Sequence, residues 1–274
     1  MCGYVLRRPE RRPAPREPLI RERAFEREVA HEEHRVIAGM RAEPLRVPLA
    51  YLGLGLLFAP ILTFTPLLRF MGWFLASLVH ETGHCFFAWM AGSWSFPAIS
   101  LAGHAMASHG PQSIALCFVI WFGIGALAWH MRHRRAWLIG LGALTLLYPL
   151  FAFTGLKEAV FLVGGHVGEL AFAGIFFWRA IVGGFTESKA ERALYALLAF
   201  FLVGQNLWLS GGLMWSAEVQ EWYARSGSFG LTNDYIRLAR DVLRTELSTV
   251  AGAMFVATLT VLPLSWFAAR KLSA

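Results

Sequence analysis

From position 47 to 92 the chain is nearly continuous apolar sequence, interrupted by prolines, Thr63, Thr65, Arg69, Ser77 and one polar box. That stretch is about twice the roughly 20 residues one helix needs to cross a hydrocarbon core. The pattern therefore predicts two spans, about 48–65 and 67–92, with a turn near Thr65-Pro66. Further apolar runs predict spans at 112–131, 136–154, 157–183, 190–214 and 247–269. The expected fold is an all-α, polytopic transmembrane helix bundle of seven spans, or six if 47–66 is re-entrant.

The segments between these runs divide the chain into a charged polar tail, 1–46, and a transmembrane domain, 47–274. The tail holds eleven arginines, eight glutamates and no lysine, with four prolines between positions 9 and 18 that favour extended chain. Residues 20–40 suit a helix, and the His31-Glu32-Glu33-His34 run there reads as part of a solvated, mixed-charge face. The stretch 93–111 has no Lys, Arg, Asp or Glu but includes Pro97, His104 and His109. It predicts a β-like or re-entrant loop lying over the site carried by the polar box. Segment 215–246 reads as a capped surface helix started by Thr232-Asn233, with Arg237, Arg240 and Arg244 as a basic stripe facing lipid headgroups.

Composition agrees with the pattern: 56% of residues are hydrophobic, 16% are charged and mean hydropathy is +0.49. The net charge of +7 accompanies no recognisable nucleic-acid module, so nucleic acid is not an expected partner. Arginines flanking apolar spans set topology or meet lipid headgroups instead. The expectation is an integral membrane protein, placed in a bacterial inner (plasma) membrane, with membrane lipids as partners and a membrane protein or peptide as substrate. Three cysteines (Cys2, Cys85 and Cys117) form no paired framework, and Cys85 reads as packing. No apolar core precedes the first span, so a cleavable signal peptide is not expected.

Against this apolar background, ionisable residues inside spans stand out, because burying them in a membrane is costly. His80-Glu81-Thr82-Gly83-His84 is an H-E-x-x-H box on an expected helix. Residues four apart share a face, so both imidazoles can grip one metal ion while Glu81 serves as general base. A second pair, His166 and Glu169, lies three apart in Gly164-Gly165-His166-Val167-Gly168-Glu169, where the glycines allow a neighbouring helix to approach closely. Either His166 or Glu169 is a candidate third ligand, with the other orienting from behind. Gln205 and Asn206 in the sixth span suit inter-helix hydrogen bonding. His104 and His109 read as loop residues, one of which can face the cavity.

At these residues the chain resembles the site-2-protease family of intramembrane zinc metalloproteases. The likeness rests on Val79-His80-Glu81-Thr82-Gly83-His84 in an early span followed by several more, a match of about 25 residues. The resemblance implies Zn2+, with His80 and His84 as ligands and Glu81 as base. That family usually takes its third ligand from an Asp in a later Leu-Asp-Gly motif. This chain has no Asp-Gly, and its only aspartates, Asp234 and Asp241, fall in the polar segment 215–246. The His166/Glu169 span is expected to replace the motif.

The leading expectation is a membrane-embedded zinc-dependent hydrolase, a protease cleaving peptide bonds within or beside the membrane. The alternative is a non-catalytic membrane protein whose structural or sensory metal site closes on His80, His84, His166 and Glu169 together. A metal transporter ranks third, because its polar residues would be spread along a path rather than gathered at one depth.

Overall fold

A computed structural model describes residues 45–101, 104–183, 188–227 and 232–272. The expected tail helix and its His31/His34 run lie outside these residues. Helices occupy all seven expected span positions: α1 (Arg46–Phe58) with the short α2 (Ile61–Phe64), α3 (Pro66–Met90), α4 (Ile114–His130), α5 (Arg135–Phe153), α6 (Leu156–Ile181), α7 (Lys189–Trp215) and α10 (Leu247–Leu272). The protein is mostly helical, and five of these units are long and apolar enough to cross a membrane: 46–64, α5, α6, α7 and α10. α4 is shorter, and α3 carries the polar box and Arg69.

Local sequence explains the element ends. Pro60 removes a backbone donor where α1 gives way to α2. Pro66 opens α3 at its first turn, where a missing N–H costs nothing. Ser113, Ser188 and Ser216 accept hydrogen bonds from Leu116 N, Glu191 N and Val219 N at the starts of α4, α7 and the short α8 (Ala217–Arg225). Gly92, at φ 77°, ends α3, and Ser93 N reaches back 2.9 Å to Ala88 O to close the cap.

The uncharged stretch after α3 is a hairpin, β1 (Ser95–Ser100) and β2 (His104–His109), antiparallel with Ser95 opposite His109 and Pro97 opposite Ala107. The fold is thus helical with one two-stranded insertion. Gln112 ties the hairpin's exit down, donating to Ala91 O (2.9 Å) and Ala152 O (2.7 Å) while accepting from Lys157 Nζ (2.6 Å).

α6 is the central post: half of its hydrophobic window is buried, against 11% for the peripheral α5. It packs on α3, α7 and α10. Its contact with α3 is backbone to backbone, since a Cβ on Gly83 would overlap Gly164 O, and one on Gly168 would sit 2.7 Å from Gly83 Cα. Gln205 donates to Thr63 Oγ1 across helices (3.3 Å), whereas Asn206 bonds within its own helix to Leu202 O (3.0 Å).

Segment 215–246 differs from the expected surface helix. It comprises α8, then α9 (Asp234–Arg237) running into a π-helical turn, Leu238–Leu243. Arg237, Arg240 and Arg244 are exposed as expected, but Tyr235 is fully buried and Leu238 and Ala239 nearly so. These three join a core formed with Leu162, Leu170, Leu213 and Val250. Apolar residues at i, i+3 and i+4 fold the segment back onto α6 rather than leaving it flat on the surface.

Candidate metal centre

α3 presents His80, Glu81 and His84 along one edge, and α6 backs them. Gly165 lies directly under the His80 imidazole, where any Cβ would overlap the ring. Glu81, His84, His166 and Glu169 are all buried.

The four sequence-expected ligands come together, but as parts of two donor groups that share His80: His80 with His166 and Glu169, and His80 with His84 and Asp234. Glu169 bridges the first group, with Oε1 3.3 Å from His80 Nδ1 and Oε2 3.1 Å from His166 Nδ1. Asp234, from α9, completes the second. Its Oδ2 lies 3.1 Å from His84 Nε2 and 3.4 Å from His80 Nε2, and the two Nε2 atoms are 3.1 Å apart. Asp234 is the residue sequence reasoning set aside, because it stands in a polar segment outside every span.

Proton accounting shows what the second group needs. His84 Nδ1 lies 2.7 Å from the Phe161 carbonyl oxygen, which can only accept, so that nitrogen carries the ring proton. His80 Nδ1 faces the Glu169 carboxylate and donates likewise. In neutral rings both Nε2 atoms then offer bare lone pairs. Two lone pairs and a carboxylate oxygen meet with no proton among them, an arrangement that repels unless a cation is shared. A proton can also fill that role: burial acts to raise the Asp234 carboxyl, yet protonated His80 and His84 rings, donating to it and attracting its charge, hold it well below the usual carboxylate range.

Asp234 is positioned by its neighbour. The Tyr235 ring lies 4.2 Å from the His166 ring, centroid to centroid, locking α9 against α6. Burial raises the Tyr235 hydroxyl well above its usual value, and its oxygen has no hydrogen-bond partner among the described residues. Asn233 donates to Tyr223 O and, at 3.3 Å, to Ser226 Oγ, pinning α9 to the end of α8.

A cleft of about 480 Å³ opens beside the box, within the usual range for ligand pockets. Trp73, Ser77, His80, Glu81 and His84 of α3 form one wall, Thr232 to Asp234 and Arg237 another. The remaining side is Ala105 to His109, five consecutive residues of β2. Neighbours in a strand point to opposite faces, so an unbroken run means that the strand's edge borders the cleft. Gly110 N donates to Trp94 O (2.9 Å), and antiparallel bonding alternates, which turns the N–H and C=O of Ala105 and Ala107 away from β1 toward that edge. His109 lines the cleft with its ring 4.8 Å from Phe161, whereas His104 is not among the lining residues. Compared with protein-family models, with characterised proteins and with solved structures, the chain has no significant match in any of the three.

Proposed function

We propose that the protein is a membrane-embedded zinc-dependent hydrolase, a peptidase acting on peptide bonds within or beside the membrane. The observation carrying this reading is the convergence of His80 Nε2, His84 Nε2 and Asp234 Oδ2, three bare donor atoms 3.1–3.4 Å apart. Donors about 2.1 Å from a tetrahedral ion lie roughly 3.4 Å from one another, so the set fits zinc in spacing and chemistry. Three protein ligands leave one position open, as catalytic zinc sites do.

The residues divide the work. His80, His84 and Asp234 hold the ion. Glu169 and the Phe161 carbonyl fix the two imidazoles from behind by engaging their Nδ1 atoms. A zinc ion bound there supplies Lewis acidity and a water of lowered pKa. Glu81, next to His80 on the cleft wall, takes the proton of the attacking water and passes it to the leaving amine. The open edge of β2 offers main-chain partners to an extended peptide. That matters because a helical substrate has its backbone groups satisfied internally and must unwind to expose a scissile bond.

Purified Glu81→Gln protein tests this directly. It should keep its zinc and lose at least about 100-fold in turnover, the typical contribution of a positioned proton-transfer group. Unchanged cleavage would eliminate the mechanism.

One observation favours a structural or sensory metal site instead: His80, His166 and Glu169 form a donor group of their own. In that group His80 offers Nδ1, the nitrogen whose proton Glu169 accepts in the catalytic reading. Metal-edge spectroscopy separates the two, a closed four-ligand shell speaking for the structural site.

A further inference from the structure

Arg237 is the only Lys or Arg among the described residues that line the cleft. It stands three positions after Asp234 on α9, so the two side chains share a helix face about 5–6 Å apart at Cβ. Asp234 is committed inward to His80 and His84. Asp241, an acid that feels the charge of Arg237, is paired with Arg240, with Nε to Oδ1 at 2.6 Å and Nη2 to Oδ2 at 3.1 Å, and Glu81 lies on the α3 wall of the cleft. Arg237 therefore stands exposed at the cleft with no ion pair among the described residues. Burial of its neighbours Tyr235 and Leu238 fixes the helix that carries it.

A guanidinium presents donors in a fork that matches a carboxylate, and the match strengthens where water is partly excluded. We infer that Arg237 selects substrates bearing a carboxylate beside the scissile bond, from an acidic side chain or a free C-terminus. This rests on the peptidase reading above. One helical turn separates Arg237 from the donor set, which places the recognised carboxylate within a residue or two of the bond cut.

The test uses full-length protein in non-ionic detergent, which excludes lipid phosphate as the anion. Matched peptides carry Glu, Gln or Lys next to the cleavage position, and a further pair has a free or amidated C-terminus there. Wild type should cleave a carboxylate-bearing peptide about tenfold better in kcat/KM than its neutral partner, the scale of one charge-assisted hydrogen bond. The Glu-over-Gln and the free-over-amidated ratios say which carboxylate is read. Arg237→Gln should bring that ratio near one, and Arg237→Glu should favour Lys. A purely structural role would lower all rates together and leave the ratios intact. Equal cleavage of every pair by wild type, or an unchanged preference in Arg237→Gln, overturns this inference alone. Zinc-loaded wild type that cleaves none of the peptides overturns the peptidase reading and this inference with it.

Discussion

Asp234 Oδ2 lies 3.1 Å from His84 Nε2, although 150 positions of chain separate the two residues. The contact joins the box on α3 to a one-turn helix packed on α6 by Tyr235. Under the proposed function it ranks the carboxylates, giving Asp234 the metal-facing place and Glu169 the place behind His80.

That ranking is measurable by metal content. Asp234→Ala should weaken zinc binding by more than about 100-fold, whereas Glu169→Gln, which removes an orienting contact, should cost about 10- to 100-fold. Equilibrium competition with a chelator gives both numbers. The reverse order would move the ion to the His80–His166–Glu169 group.

Gly165 should tolerate no side chain. In Gly165→Ala the new methyl overlaps the His80 ring, so the imidazole or α6 must shift. Overpacking of this kind costs about 1–3 kcal/mol. Thermal unfolding in detergent reads that loss, and zinc retention should fall along with it. Gly155→Ala is the control, because nothing surrounds its Cβ position within 4 Å.

Tyr235 separates shape from polarity. Its hydroxyl is buried without a partner among the described residues, so Tyr235→Phe should be neutral or stabilising by up to about 1 kcal/mol, with zinc unchanged. Tyr235→Ala empties the pocket beside His166 and should cost about 3–5 kcal/mol, releasing α9 and zinc together. A destabilised Phe variant would mean that the hydroxyl has a partner after all.

Strand addition at the hairpin predicts the effect of a proline. Ala107 lies opposite Pro97 with its N–H turned to the cleft edge, so Ala107→Pro leaves the β1 pairing intact. Cleavage should fall about 3- to 10-fold, the worth of one lost hydrogen bond, at constant zinc content. Unaltered kcat/KM would rule out docking along β2.

Much of this site is legible in one dimension. His80 and His84 announce themselves by four-residue spacing in an apolar helix, and His166 with Glu169 does so as an ionisable pair three apart inside another apolar run. Gly83, Gly164 and Gly168 mark the close α3–α6 approach. Asp234 escapes because its segment is polar and short, and no helical period connects it to a span. A signal was present in Tyr235, Leu238 and Ala239, whose spacing marks an inward face one residue beyond the aspartate. The uncharged stretch 93–111 reads as a β-like or re-entrant loop, and the structure makes it a hairpin. Its pairing register depends on contacts that composition does not encode.

The late position of α9 in the chain has a bearing on biogenesis. A polypeptide made from its N-terminus exposes the histidines of α3 well before Asp234 has been synthesised. Until the chain folds back over α6, the His80–His84–Asp234 group has two of its three donors. If the proposed site is the one used, metal capture there is tied to near-completion of the molecule, since binding and folding draw on the same free energy. Fragments that end before α9 should carry the box yet bind no metal at that group, which metal analysis of a truncated chain would read.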